Sequence, residues 1–222
     1  GINVWRIPMD GGDARLRPFA AKLRRSGLGW RFNIQNELND ALRYWGNRFD
    51  YGQFRDMEPD PDSHFIDIDG KPVKCAFGFL TVCPLYEGRN LHETARRVAE
   101  SAAVKEYGVD WLVFDWEFWG PRPCYCDRCR RIFRETWCPE KGLPDFGDPR
   151  EFMRDEKANA AAAKAYLDFY WWGRGQLYVN FKKALKEKSG VDFRMSDWTW
   201  PRPHLLPGMD FFDCSFGYKT PE

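Results

Sequence analysis

The chain has 222 residues, of which 43% are hydrophobic and 30% charged, and its 34 basic and 33 acidic side chains leave a net charge of +1. This length supports one sizeable core, so we expect residues 1–222 to form a single domain. The interspersed charges predict no nucleic-acid partner. The sequence also predicts no membrane segment, because no apolar run approaches the roughly 20 residues of a membrane helix.

Short apolar segments alternate with helical ones along the chain. Strands are predicted at residues 2–7, 30–34, 111–117, 192–198 and 209–216. Helices are predicted at residues 19–27, 38–44, 92–107 (ending at Gly108) and 157–188. Between the second strand and the third helix lies a long irregular region, 51–86, with a hairpin that turns at Asp69 and Gly70. This order predicts a parallel α/β sheet or barrel.

A complete (β/α)8 barrel has eight strands and typically about 250 residues. Five predicted strands are too few for a closed barrel. We therefore expect an incomplete TIM barrel, with roughly five to six of the eight βα units in this chain and the remaining units outside it.

The strand at residues 111–117 carries two acids. Its period of two places Val113, Asp115 and Glu117 on one face and Leu112, Phe114 and Trp116 on the other. The apolar face suits the helix-facing side of a barrel, so the acids would face the axis at the end where barrel active sites lie. Neighbouring carboxylates raise one another's pKa, as a general acid requires. The alternative is a structural pair satisfied by Arg or backbone groups.

A cysteine motif follows this strand. Cys124, Cys126 and Cys129 form Cys-x-Cys-x2-Cys, and Cys83 precedes the intervening helix. Four thiolates in this arrangement fit a closed, structural zinc site. The alternatives are scattered buried thiols, disulfides, or a fourth ligand supplied by Cys75 or Cys138.

These motifs together carry a family resemblance. Cys83-Pro84, a helix, a strand ending in Asp-x-Glu and then Cys-x-Cys-x2-Cys resemble the metal-bearing segment of family 42 β-galactosidases, over residues 83–133. The resemblance implies a (β/α)8 barrel, zinc on the four cysteines, an acid/base role for Glu117 and a nucleophile on a later strand outside this chain. In that clan Asn directly precedes the acid/base Glu, whereas Trp116 stands here. Residues 108–117 also resemble the Asp-x-Glu strand of family 18 chitinases.

Aromatic residues make up 17% of the chain and include 11 Trp. Trp and Tyr rings pack well on sugar faces, although most rings belong to the core in a typical domain. Residues at predicted strand ends that could bind substrate are Trp119, Asp197, Asn36 and Arg6. We predict hydrolysis of a glycosidic bond in a saccharide, with Glu117 as proton donor and Asp115 tuning its pKa. The alternative is a non-catalytic saccharide-binding barrel that lacks the second carboxylate.

Overall fold

The structure is a computed structural model, which describes residues 4–6, 8–12, 14–26, 31–34, 45–47, 54–75, 78–114, 122–197, 208 and 210–212. The strands are β1 (Val4–Arg6), β2 (Arg31–Ile34), β3 (Trp111–Phe114), β4 (Arg194–Asp197) and β5 (Phe211–Phe212). The helices are α1 (Leu16–Arg25), α2 (Arg89–Glu100), α3 (Ala102–Lys105), α4 (Asp127–Ile132), α5 (Cys138–Glu140), α6 (Pro149–Phe152) and α7 (Ala160–Ser189). None of the helices described here is long and apolar enough to cross a membrane.

The five strands form one parallel sheet in the order β1-β2-β3-β4-β5. Each strand therefore pairs with its neighbours along the chain. Parallel pairing requires the chain to cross back between strands, and helices supply these connections in the described crossovers. The prediction of an α/β fold with a parallel sheet is confirmed.

Most predicted elements are present with shifted ends, and one predicted helix is divided. The segment predicted as a continuous helix over 92–107 breaks at Ser101, which has an extended backbone at ψ 152°. The Ser101 side chain accepts from the N–H of Val104 and so starts α3. A hydroxyl that caps a helix competes with continuation of the preceding helix, which accounts for the division.

Strand β3 has two different faces, as its sequence predicts. Leu112 and Phe114 belong to the main hydrophobic cluster, and the Phe114 ring lies 5.0 Å from that of Tyr178 in α7. Trp111 donates a 3.0 Å hydrogen bond from Nε1 to the hydroxyl of Ser196 on β4. Ser196 is in register with Val113, so the odd-numbered residues share the face away from α7.

Helix α7 is long enough to extend well past the sheet. It spans 30 residues, and Gly190, with a φ of 70°, provides the left-handed cap after its last residue. Tyr178 packs on Phe114, the last residue of β3. Because α7 returns the chain to the start of β4, its residues before Tyr178 lie beyond the carboxyl ends of the strands. This amino-terminal half of α7 supports the loop that carries Cys124, Cys126 and Cys129, called here the cysteine loop.

Candidate metal centre

The sulfur atoms of Cys83, Cys124, Cys126 and Cys129 all lie within 4.8 Å of one another. The Sγ of Cys83 is 3.4 Å from that of Cys129 and 3.6 Å from that of Cys126. These separations exceed the roughly 2.05 Å of a disulfide bond. The alternatives of scattered thiols and of disulfides among these four residues are therefore wrong.

This arrangement fits a tetrahedral metal ion. With zinc–sulfur bonds of about 2.3 Å, the sulfurs of a regular tetrahedron stand about 3.8 Å apart. Three of the four cysteines are at most 2% exposed, and Cys126 is half-buried. A buried set of four sulfur donors is the donor set of closed structural sites. The four cysteines could thus hold a metal ion.

Cys83 is positioned by a small β-structure formed from residues 64–75 and 78–82. Three short segments pair in a ring, in which Phe65 donates to Thr81, Thr81 to Val73 and Val73 back to Phe65, all through backbone groups. The predicted hairpin turn is confirmed, since Gly70 has φ 85° and donates to the carbonyl of Asp67. Cys83 directly follows this β-structure in the chain and donates its N–H to the carbonyl of Ser63. The ring therefore fixes where the distant fourth cysteine enters the cluster.

The loop with the other three cysteines docks on this β-structure. The N–H of Ile66 points at the Sγ of Cys124 over 3.4 Å, and the carbonyl of Ile66 accepts from Tyr125 at 2.7 Å. Tyr166 of α7 donates its hydroxyl to the carbonyl of Cys124 at 2.6 Å. The cysteine loop is thus held from both sides, by the β-structure and by α7.

Helix α4 begins at the cysteine cluster and was not predicted. Cys126 is its N-cap, and a π-helical turn, Phe133–Trp137, joins α4 to α5. The N–H of Cys138 donates to the carbonyl of Phe133, five residues back, and this wider turn accommodates Pro139, which has no N–H to donate. The sequence does contain a signal for this helix, because the buried residues Cys129, Phe133 and Trp137 recur at a spacing of four.

The thiols have unequal proton affinities. Burial raises the pKa of Cys124 well above that of an ordinary thiol. Hydrogen bonds from Cys124, Cys129 and Cys83 lower the pKa of Cys126. A bound cation favours the thiolate form at every ligand, so binding would release protons.

The fallback ligands lie outside the cluster. Cys75 is half-buried on the β-structure, and Cys138 is 1% exposed in α5. Among the described residues, neither belongs to the group of cysteines that could share a metal ion. The candidate ligands are therefore Cys83 and the three cysteines of the Cys-x-Cys-x2-Cys motif.

The predicted acid pair and two binding candidates, Asp115, Glu117, Trp119 and Asn36, lie outside the described residues. Arg6 ends β1 and Asp197 ends β4, so both stand at the carboxyl edge of the sheet. Asp197 is in register with Phe114, the residue before Asp115. Their backbone positions agree with the predicted location, and their roles in binding stay predictions.

No family model and no curated protein matches the sequence. Among solved structures, the β-amylase catalytic domain of Paenibacillus polymyxa aligns with 96% of this chain at 13% identity and a TM-score of 0.47. Alpha-L-fucosidase isoenzyme 2 of Paenibacillus thiaminolyticus aligns with 93% at 14% identity and a TM-score of 0.40. The chain spans 64% and 29% of those two chains. At this level of similarity, neither solved structure indicates the activity of this chain.

Proposed function

We propose that this chain is part of a (β/α)8-barrel glycoside hydrolase in which a structural zinc ion joins two loops at the carboxyl edge of the sheet. The observation that carries the proposal is the convergence of four cysteine sulfurs from two separate crossovers. Cys83 belongs to the segment between β2 and α2, and the other three belong to the segment between β3 and α7.

The donor set supports zinc, and its position supports a structural role. Four thiolates select soft or borderline metals such as zinc, and they leave no open position for water or substrate. Tyr166, which touches the cysteine loop, precedes Tyr178 by twelve residues of α7, which is about 18 Å along the helix. The ion would thus lie well beyond the end of β3.

Metal analysis tests the zinc site. Protein purified without chelators should contain about one zinc per chain, because all four ligands are preassembled. Substitution with Co²⁺ should give the intense sulfur-to-metal absorption of a four-thiolate tetrahedral site. Protein that neither contains zinc nor takes it up would contradict this assignment.

The orientation of side chains on strand β3 supports hydrolase chemistry. Its odd-numbered residues lie on the face away from α7, and continued alternation would place Asp115 and Glu117 on that same face. Carboxylates at the carboxyl end of a parallel strand occupy the usual position of barrel active sites. Glu117 would then donate a proton to the leaving oxygen, with Asp115 beside it. The second carboxylate would come from a later strand, as the family resemblance implies.

Replacing Glu117 by Gln in the full-length protein tests this role. Turnover of natural saccharides should fall about 10² to 10⁴-fold, because the amide cannot donate the proton. Nitrophenyl glycosides should lose less, since their leaving groups need less protonation. Steady-state kinetics on both substrate types gives the comparison.

Glu140→Gln provides the matched control, because Glu140 is exposed on α5. It should leave turnover unchanged. Undiminished turnover in Glu117→Gln would end the acid/base assignment. A wild-type protein that binds saccharides without cleaving them would favour the non-catalytic barrel instead.

A further inference from the structure

We infer that Arg128 neutralises the metal centre and fixes Cys83 as its fourth ligand, which makes Arg128 a positioning residue for the metal. The inference rests on the proposed zinc site. Arg128 lies within the motif itself, between Cys126 and Cys129, and is half-buried beside the cluster.

The charge of the site creates the need for such a residue. One Zn²⁺ with four thiolates carries a net charge of −2. Cys83, Cys124 and Cys129 are at most 2% exposed, so water contributes little to their solvation. A buried net charge is costly unless donors or opposite charges compensate it.

A backbone donor reaches the sulfur of Cys124, which faces the N–H of Ile66 at 3.4 Å. Cys83 has a different environment, because the positively charged guanidinium of Arg128 is near enough to attract the charge of its sulfur.

The guanidinium of Arg128 is held in place by two further contacts. Its Nη1 donates to the carbonyl of Asp62 at 3.2 Å, and its Cζ lies 5.6 Å from the centre of the Tyr86 ring. Both partners lie close in sequence to Cys83, so Arg128 links the cysteine loop to the segment that carries the fourth ligand. A planar guanidinium can make these contacts at the same time, which a lysine ammonium does not reproduce.

Cys83 is also the ligand most dependent on outside support. It stands 43 residues before Cys126, whereas the other three ligands share one short loop. The three motif cysteines lie close together in sequence, so binding of one of them keeps the other two near the metal. Cys83 comes from a distant segment and lacks this advantage, so we expect it to dissociate first. Removal of Arg128 should therefore open the site at Cys83.

The test compares Arg128→Gln with Arg128→Lys and the control Arg131→Gln, whose side chain is 62% exposed on the same helix. Zinc affinity and release are measured by competition with a chromogenic chelator, and the Co²⁺ form is examined by absorption spectroscopy. Arg128→Gln should weaken zinc binding about 10 to 100-fold. Arg128→Lys should recover part of the loss by keeping the charge, and Arg131→Gln should match the wild type.

The thermal stability of the metal-free proteins separates metal positioning from general packing. Relative to wild type, Arg128→Gln should lose less thermal stability in the metal-free state than in the zinc-bound state. An equal loss of stability with and without metal would overturn the inference, as would wild-type zinc affinity in Arg128→Gln. A wild-type protein that binds no zinc would overturn the proposed site and this inference together.

Discussion

Glu93 belongs to a network of arginine and carboxylate side chains that connects helix α2 to the loop before it. Arg96 binds its carboxylate through two hydrogen bonds of 2.7 and 2.8 Å, and Arg97 adds a third of 2.7 Å. Arg97 also donates to Asp56 at 2.9 Å, so the network ties residue 56 to the helix. The hydrogen bonds from Arg96 are the main reason that the pKa of Glu93 falls from 4.5 to about 2.

This lowered pKa predicts a pH-dependent contribution to stability. The folded state favours the ionised form, so the contribution is complete above the unfolded pKa and is lost as the pH falls from 4.5 to about 2. Glu93→Gln should reduce the free energy of unfolding by about 0.2 to 1 kcal/mol at neutral pH, because the network is partly exposed.

Urea denaturation at several pH values measures this effect. The difference between Glu93→Gln and wild type should narrow below pH 4.5. Glu135→Gln is the control, since its ion pair with Arg131 spans 3.9 Å on an exposed surface. A difference that stays constant down to pH 2 would show that the carboxylate charge is not the cause.

At the level of elements, α7 connects the sheet to the cluster of four cysteines. Its carboxyl-terminal half packs on β3 through Tyr178 and Phe181, and its amino-terminal half meets the cysteine loop through Tyr166. Gly173 lies between these two contacts, and a Cβ there would come within 3.3 Å of the Leu85 side chain. The small residue lets α7 approach the segment that follows Cys83.

An aromatic cluster joins α7 to the π-helical turn. The Phe133 ring lies 4.9 Å from that of Tyr166 and 5.4 Å from that of Phe169. Trp137 packs 5.1 Å from Trp172 on the same helix face. These rings have structural partners, so much of the aromatic content in the described part of the chain serves packing rather than saccharide binding.

For the molecule as a whole, the metal would stabilise one region more than another. The β-structure with its flanking residues (60–75 and 78–88) and the cysteine loop with the residues that follow it (122–156) meet through Ile66, Tyr125 and the four sulfurs. The sheet is instead held by its own ladder and by the apolar face of α7. Metal loss should therefore affect these two parts differently.

Hydrogen exchange of the Cys126→Ser variant should show this difference. Amides in residues 60–75, 78–88 and 122–156 should lose protection, because structural zinc contributes about 10 to 16 kcal/mol to the folding of zinc-finger peptides. Strands β3 and β4 should keep most of theirs. Cys75→Ser, which changes a cysteine outside the cluster, should behave like the wild type. Equal loss of protection throughout the chain would contradict the division.

The sequence by itself determined the features that depend on local patterns. Strand periodicity identified all five described strands and the two faces of β3, because alternation requires only neighbouring residues. The Cys-x-Cys-x2-Cys spacing identified three of the clustered sulfurs for the same reason. The break at Ser101 and the helix starting at Cys126 were missed, since capping and the π-helical turn interrupt simple periodicity.

Only the tertiary structure decided which groups meet over long distances. The fourth sulfur was predicted to be that of Cys83, with Cys75 and Cys138 as alternatives. The backbone hydrogen bonds among residues 64–75 and 78–82 bring Cys83 to the cluster and leave the other two outside it. The contacts of Ile66 and Tyr166 with the cysteine loop, and that of Arg128 with Asp62, likewise depend on how separate segments pack. Spacing along a chain does not fix such contacts, because they follow from the burial of apolar surfaces that lie far apart in sequence.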